Sequence, residues 1–443
     1  MEKITRQIPC GLLSGKTYGG IERYLGIRYA NAGRFEYPKQ VTHWDGEYEA
    51  YEYGPAPIQE STYHPADPED PKNHYPHEFM RGVDPKYSED CLFLNIWTPA
   101  NAKKAPVLIV IYGGGLETGM SQELEFNGDE FARRGIITVT LNYRVNVFGF
   151  MYLKELESEK GKAGNFGYYD QQMAIEWVRK NIEALGGDTN NMTIIGQSAG
   201  AASAEAQIKT PLNKGYFRQA IIQSSAGFTT VLKAKDNKES EDKKWRTVYE
   251  KTGVHSIEEL KKMNAEDLFR IYKEISAKQP IAFCNCVYDD NYGNKTKNKA
   301  VDTKVMYSIT SEDVMPFILH VMGKGLSKSQ AERTDTYAYY FCRRLPGDDK
   351  GAWHSSDLMY VYSTLDKSWR PFTEEDYELS KRMIDYFEAF IKTGDPNHEG
   401  DETWAPHNRS GKYMFFDVKE KGMKKIPVLH LIKETLLGNH IGM

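Results

Sequence analysis

One serine in this sequence stands in a setting that favours nucleophilic chemistry. Ser198 is the centre of a Gly-x-Ser-x-Gly pattern over residues 196–200, between the apolar run 192–195 and the small residues 201–204. A serine on a tight strand-to-helix turn presents its hydroxyl above the sheet, and the flanking glycines relieve the crowding of that turn. The helix start behind it supplies N–H groups for a developing oxyanion. The pattern predicts acyl transfer at Ser198, with a purely structural glycine turn as the alternative.

A second glycine-rich segment, residues 112–115, lies upstream and follows the apolar run 107–111. Backbone amides without a neighbouring Cβ can approach a developing negative oxygen closely. A phosphate-binding loop would need Gly-Lys-Ser/Thr after the glycines, but residues 116–118 are Leu-Glu-Thr. A dinucleotide-binding pattern would need a third glycine where Thr118 stands. The segment is therefore interpreted as a source of oxyanion donors.

Acyl transfer also needs a histidine and a carboxylate. In folds that carry the serine on a strand-to-helix turn, these two residues follow the serine in the order acid, then histidine. The adjacent Glu312 and Asp313 come after a predicted strand at 304–309, and His354 lies in a polar loop after a predicted strand at 336–341. Either carboxylate could be the acid. His320 lies in an apolar stretch and is predicted to be packed. Five other histidines are predicted to be structural or solvated: His43, His64, His398, His407 and His440.

The elements that must position these residues alternate between strands and helices. Apolar β-branched runs at 107–111, 136–141, 192–195 and 220–222 are typical of strands buried on both faces. Residues 170–185 have apolar positions at helical spacing and end at two glycines. This alternation predicts the α/β class, with a mostly parallel central sheet flanked by helices.

The domain organisation is predicted to be a single α/β domain over residues 1–443. Residues 228–303 are charged and Lys/Glu-rich, and they are interpreted as a helical cap inserted into that domain. A late helix is expected over 374–391, with Thr373 as its N-terminal cap and Gly394 at its C-terminal end.

Composition excludes several classes of protein. The 443 residues carry a formal net charge of −5, which gives no electrostatic reason to expect nucleic acid or an anionic membrane as a partner. The apolar runs are strand-sized, and residues 1–6 lack the apolar stretch of a signal peptide. Five scattered cysteines make a disulfide framework or a metal site improbable. We expect a cytoplasmic protein with no cofactor and no metal, acting on a small molecule.

Several motifs together resemble a known family, the type-B carboxylesterases, which are relatives of the cholinesterases. The resemblance covers nearly the whole chain, and the motif at 88–99, Ser-Glu-Asp-Cys-Leu-Phe-Leu-Asn-Ile-Trp-Thr-Pro, is highly specific. The other matching segments are 24–30, 34–35, 142–144, 164–167, 170–171, 186–188, 196–200 and 394–397.

The resemblance implies an α/β-hydrolase fold and a serine carboxylesterase that forms an acyl-enzyme on Ser198. It further implies that His354 is the general base, and that Gly114, Gly115 and Ala199 donate to the oxyanion.

Alignment of the acidic pair with the family motif places the acid at Asp313 rather than at Glu312. The family usually has a glutamate there, followed by a glycine that is Val314 in this sequence. The resemblance also implies two structural ion pairs, Arg34 with Glu89 and Arg144 with Asp170.

Departures from the family pattern restrict the substrate. Gln197 stands where cholinesterases have a glutamate, and residues 61–90 hold no tryptophan to bind a quaternary ammonium group, so choline esters are poor candidates. Cys91 has no upstream cysteine in that segment to pair with, which favours a reducing compartment. Only 41 residues separate Asp313 from His354, so we expect a reduced cap and a wide, neutral entrance. Small carboxylic esters are the predicted substrates. Feruloyl or acetyl esters, amides and carbamates remain alternatives, as does a binding module without catalysis.

Overall fold

A central sheet of thirteen strands runs through the part of the chain that the computed structural model describes, which comprises residues 1–60, 74–157, 161–227, 237–278, 284–293 and 301–438. The strands of that part are β1 (Glu2–Ile8), β2 (Gly11–Tyr18), β3 (Ile21–Arg28), β4 (Ala30–Asn31), β5 (Lys39–Gln40), β6 (Glu47–Glu49), β7 (Phe93–Pro99), β8 (Ala105–Ile111), β9 (Ile137–Leu141), β10 (Gly187–Gln197), β11 (Gln219–Gln223), β12 (Lys304–Thr310), β13 (Thr336–Phe341), β14 (Tyr413–Phe416) and β15 (Lys421–Lys424). β4 and β5 form a separate pair.

The order of strands is β1-β2-β3-β7-β9-β8-β10-β11-β12-β13-β14-β15, with β6 paired to β2. The seven strands from β9 to β14 in this order are parallel, whereas the strands at both ends of the sheet are antiparallel. β9 and β11 are buried along their whole length, as strands covered on both faces must be. The mostly parallel sheet is the predicted one.

Helices cover this sheet. In the described ranges they are α1 (His74–Phe79), α2 (Asp129–Arg133), α3 (Asn146–Phe150), α4 (Phe166–Asn181), α5 (Ala199–Lys209), α6 (Lys238–Trp245), α7 (Thr247–Thr252), α8 (Ile257–Lys262), α9 (Ala265–Ser276), α10 (Pro316–Gln330), α11 (Leu358–Val361), α12 (Glu374–Thr393), α13 (His407–Ser410) and α14 (Val428–Leu437). None of the described helices is both long enough and apolar enough to cross a membrane.

The expected late helix is confirmed as α12. Thr373 and Asp376 form a reciprocal capping box at its start, and Gly394 ends it with a φ of 76°. The helix expected over 170–185 begins earlier, at Phe166, and its last turn is a 3-10 helix that ends at Gly186.

Register brings the carboxyl ends of the parallel strands to one edge. Gly196 of β10 pairs with Ile111 of β8 and with Ile222 of β11, which in turn pairs with Tyr307 of β12. The segments that follow these four strands therefore lie side by side, and they include the glycine segment, Ser198 and the acidic pair.

Both ion pairs implied by the resemblance are present. Arg144 and Asp170 are almost completely buried, and the guanidinium donates to both carboxylate oxygens at 2.8 and 2.7 Å. Arg34 donates from Nε to Glu89 at 2.8 Å. Arg34 also donates to two backbone carbonyl oxygens near the end of α8, so it ties this region to residues 228–303. The described part of that segment carries helices α6 to α9, and its interpretation as a cap stays a prediction.

Candidate active site

Ser198 lies on the turn between β10 and α5, as the pattern predicts. Its φ of 57° and ψ of −129° are a strained combination for a residue with a side chain. A Cβ at Gly196 would lie 2.2 Å from the carbonyl oxygen of Gly200, and a Cβ at Gly200 would lie 2.2 Å from that of Ile111. The two flanking glycines are therefore required for the turn to form against β8.

The glycine segment packs directly on this turn. A Cβ at Gly113 would lie 3.2 Å from the Cβ of Ser198, and Gly114 and Gly115 have φ values of 92° and 66°. Within the described ranges, the backbone N–H groups of Gly114, Gly115 and Ala199 have no hydrogen-bond acceptor. Three backbone donors are thus available next to the serine.

Asp313 and His354 meet at this edge of the sheet. Nδ1 of His354 lies 2.5 Å from Oδ1 of Asp313, whose side chain is fully buried. An ionised carboxylate only accepts hydrogen bonds, so the proton of a neutral imidazole is on Nδ1 and its Nε2 is left as an acceptor.

Glu312 points to different partners. It accepts from Ala352 N at 2.8 Å and from Arg344 at 2.9 Å. The backbone of Glu312 also pairs with the segment just before His354, because its N–H donates to the carbonyl oxygen of Ala352 at 3.1 Å. Of the two candidate acids, Asp313 contacts the histidine. Glu312 instead connects the loop after β12 to the loop that carries His354.

Ser224, which sequence reasoning missed, completes the surroundings of Asp313. Its hydroxyl donates to Oδ2 of Asp313 at 2.7 Å, and Thr310 N donates to the same oxygen at 3.0 Å. Val314 N donates to Oδ1 at 2.8 Å. Four donors therefore converge on one buried carboxylate, and both of its oxygens have hydrogen-bond partners. A signal was available, since Ser224 directly follows β11 at the same sheet edge.

Gln197 makes a second contact that the sequence did not reveal. Its amide nitrogen lies 3.1 Å from Nε2 of His354, on the side of the ring opposite Asp313. Both imidazole nitrogens therefore have a partner in the protein.

A further carboxyl group, Asp357, lies near the acid. It accepts from Tyr339 at 2.6 Å and from Gln223 at 3.1 Å. Burial, and to a smaller extent the charge of Asp313, raise the pKa of Asp357. Tyr75 of α1 approaches from another side, and its hydroxyl donates to the carbonyl oxygen of His354 at 3.3 Å.

Glu117 links the glycine segment to the region 228–303. It accepts a hydrogen bond from the hydroxyl of Tyr272 on α9, and another from Cys284 N at 3.2 Å. The only signal in the sequence was a carboxylate two residues after the three glycines.

Two more carboxyl groups lie further along the same loop. Glu125 is 1% exposed, and in the described part of the chain no donor reaches either of its oxygens. Burial raises the pKa of Glu125, and it also raises the pKa of the neighbouring Glu123. The pair holds a proton at pH values where exposed glutamates do not.

The histidines predicted to be packed, structural or solvated have other partners where the structure describes them. His320 and His407 are buried, and burial lowers the pKa of each to about 4. His64 and His440 lie outside the described residues. No group of three His, Cys, Asp or Glu side chains in the described ranges is arranged to hold a metal ion.

Comparison with known proteins supplies the family. The model of the carboxylesterase family matches residues 2–333 and 324–430. The chain is 29% identical over an aligned length of 501 residues to the bile salt-activated lipase of Mus musculus, covering 89% of this chain and 79% of that protein. It is 26% identical to the para-nitrobenzyl esterase of Bacillus subtilis, covering 92% and 93%.

Solved structures agree. An esterase from the anaerobe Clostridium hathewayi, described as able to hydrolyse aliphatic aromatic polyesters, superimposes with a TM-score of 0.82 at 25% identity and covers 98% of both chains. A carboxylesterase of Geobacillus stearothermophilus gives a TM-score of 0.79 at 26% identity, covering 97% of this chain and 99% of its own. The fold is thus that of the α/β-hydrolases.

This chain belongs to the carboxylesterase family. It is a carboxylic ester hydrolase of the serine type, and the predicted family, fold class and enzyme class are confirmed.

Proposed function

We propose that Ser198, His354 and Asp313 form the catalytic triad, and that the amides of Gly114, Gly115 and Ala199 bind the oxyanion. The observation that carries this proposal is the 2.5 Å hydrogen bond between Nδ1 of His354 and the buried Asp313. It leaves Nε2 as the acceptor on the side where the nucleophile turn lies.

In the first half of the reaction, Oγ of Ser198 forms a bond to the ester carbonyl carbon while its proton moves to Nε2 of His354. The electron pair of the carbonyl bond moves to oxygen, which the free backbone amides stabilise. The intermediate collapses, the bond to the alcohol breaks, and the leaving oxygen takes the proton from Nε2. Water then repeats these steps on the acyl-enzyme and releases the acid.

Replacement of the nucleophile tests this proposal. Ser198→Ala should lower kcat by about 10⁶ without changing the thermal midpoint by more than a few degrees. Ser203→Ala is the matched control, because Ser203 is a buried serine of α5 that is hydrogen-bonded to Gln171. An organophosphate should label the wild type at Ser198 alone. Activity of Ser198→Ala within tenfold of wild type, or an adduct on another residue, would contradict the assignment.

The substrate class that we propose is short acyl esters of bulky or aromatic alcohols. Gln197 gives no negative charge beside the nucleophile, and two relatives carry names that refer to nitrobenzyl or aromatic polyester substrates. Feruloyl or acetyl esters of plant material, amides and carbamates are the alternatives.

Kinetics on matched substrates decide between these classes. We expect p-nitrophenyl acetate or butyrate to exceed butyrylthiocholine in kcat/KM by about thirtyfold, the equivalent of one missing cation–π site of about 2 kcal/mol. Feruloyl esters and aryl amides serve as the other arms of the panel. An equal or higher value for the choline ester would show that a cation site exists.

We also propose that the enzyme acts in the cytoplasm. All five cysteines are free thiols, as suits a reducing compartment. Fractionation of the source cells with an antibody against the chain tests this, and recovery with the exported proteins would contradict it.

A further inference from the structure

The side chain of Gln197 bridges two parts of the site. It is the last residue of β10 and only 4% exposed. Its amide nitrogen lies 3.1 Å from Nε2 of His354, while its amide oxygen faces the glycine segment, where a Cβ at Gly113 would lie 3.2 Å away. The amide therefore lies between the source of oxyanion donors and the histidine.

The chemistry of this contact depends on the charge of the ring. A glutamine NH₂ group donates and does not accept, and Nε2 of the neutral ring accepts because Nδ1–H is committed to Asp313. A protonated ring would instead present an N–H group to the NH₂ group. The contact can therefore be made with the neutral ring and not with the protonated one.

The same contact competes with the nucleophile. In the described part of the chain, no group forms a hydrogen bond to the hydroxyl of Ser198, and Gln197 occupies the nitrogen that must take the serine proton. The contact between Gln197 and His354 has to break before Ser198 can transfer its proton.

We propose that Gln197 is a positioning residue for His354: its amide N–H holds Nε2 of the resting, neutral ring and gives way when that nitrogen takes the Ser198 proton. The proposal rests on the proposed role of His354 as general base. The missing Cβ of Gly113 keeps the space beside the amide oxygen free of a side chain.

Other ionisable groups also act on this ring. Asp313 contacts Nδ1, and Asp357 lies next to Asp313 on the loop that carries His354. Tyr75 donates to the carbonyl oxygen of His354 from α1, and Glu312 binds the backbone two residues before it. All four are unchanged in variants of Gln197, so their influence cancels in a comparison of such variants.

The test is the pH profile of kcat/KM for p-nitrophenyl acetate. Gln197→Met has similar length but no donor, and its acidic limb should move to higher pH by about half a unit to one unit, as expected for the loss of one hydrogen bond. Its plateau should stay within about threefold of wild type or rise, because Ser198 no longer competes with the Gln197 amide for Nε2 of His354. Gln197→Glu should move the same limb up by about one unit or more, because it adds a negative charge next to the ring.

Gln219→Met is the matched control, because Gln219 is a buried glutamine at the opposite end of β11 from the site. Its profile should match that of wild type. A limb of Gln197→Met that stays in place or moves down would overturn the proposal, as would a fall of its plateau by more than tenfold in a folded protein. Should Gln197→Met fail to fold, an unmoved limb in Gln197→Glu overturns it equally. Full activity of Ser198→Ala would instead refute the proposed function, so the two failures are distinguishable.

Discussion

The two adjacent carboxylates offer a sharp experiment, because substitution of each by its amide changes little in size. Asp313→Asn should lower kcat by about 10⁴, which at 1.36 kcal/mol per decade is about 5 kcal/mol of transition-state stabilisation. Glu312→Gln is the matched control and should stay within about tenfold of wild type. Its carboxylate contacts Arg344, an exposed side chain, and such pairs contribute little.

The magnitude follows from the donors around Asp313. If the new NH₂ group replaces Oδ1, it faces the Nδ1–H of His354, and the ring must adopt the tautomer with a proton on Nε2, which cannot act as the base. If it replaces Oδ2, it faces Thr310 N, which leaves a buried donor unsatisfied at a cost of about 1–3 kcal/mol. In both arrangements the negative charge that stabilises the protonated ring is lost.

The assay is steady-state hydrolysis of p-nitrophenyl butyrate, with thermal unfolding followed by circular dichroism to establish that both variants are folded. A greater loss in Glu312→Gln than in Asp313→Asn would refute the assignment of the acid. A folded Asp313→Asn with activity within tenfold of wild type would refute the role of the carboxylate altogether.

Three further predictions concern the surroundings of the site. Burial raises the pKa of Glu123 to about 7 and also raises the pKa of Glu125, so ionisation of these two glutamates lowers the stability of the fold as pH rises. Glu125→Gln should therefore reduce the fall in the urea midpoint between about pH 5 and pH 8. An equal fall in the variant and in wild type would contradict this. Gly113→Ala should lower kcat by about 10² or more with little change in KM, because the methyl group would lie 2.7 Å from the carbonyl oxygen of Gln197; unchanged kinetics would show that the loop adapts. Arg144→Met should lower the free energy of unfolding by about 3–5 kcal/mol in urea titrations, because it leaves the carboxylate of Asp170 buried and unpaired; a loss below about 1 kcal/mol would contradict this.

Local patterns sufficed for six of the seven parallel strands, all except β14, and for the nucleophile turn. Buried β-branched runs mark strands such as β9 without reference to the rest of the chain, and the glycines beside Ser198 are required by contacts within a few residues of it or with the neighbouring strand. The family resemblance added the acid, since the residues alone left Glu312 and Asp313 open.

The sequence prediction placed the start of α4 too late, at residue 170 instead of Phe166, for a physical reason. Asn165, just before the helix, has a φ of 52°, and its side chain donates to the carbonyl oxygen of Val287 at 2.7 Å. That partner is 122 residues away, so no local pattern could reveal it. The contact of Gln197 with His354 spans 157 residues and was missed for the same reason. The contact of Ser224 with Asp313 spans 89 residues, and only the position of Ser224 directly after β11 gave a signal for it.

The hydrogen bonds of Glu117 have a consequence for the engineering of this enzyme. Because Tyr272 and Cys284 donate to the side chain that follows the three glycines, the loop beside the nucleophile is tied to the segment that carries α9 and Cys284. A chimaera that imports this segment from a relative to change selectivity would leave Glu117 without its partners. Such an exchange should transfer the loop and the segment together, and directed evolution of either one should find compensating changes in the other.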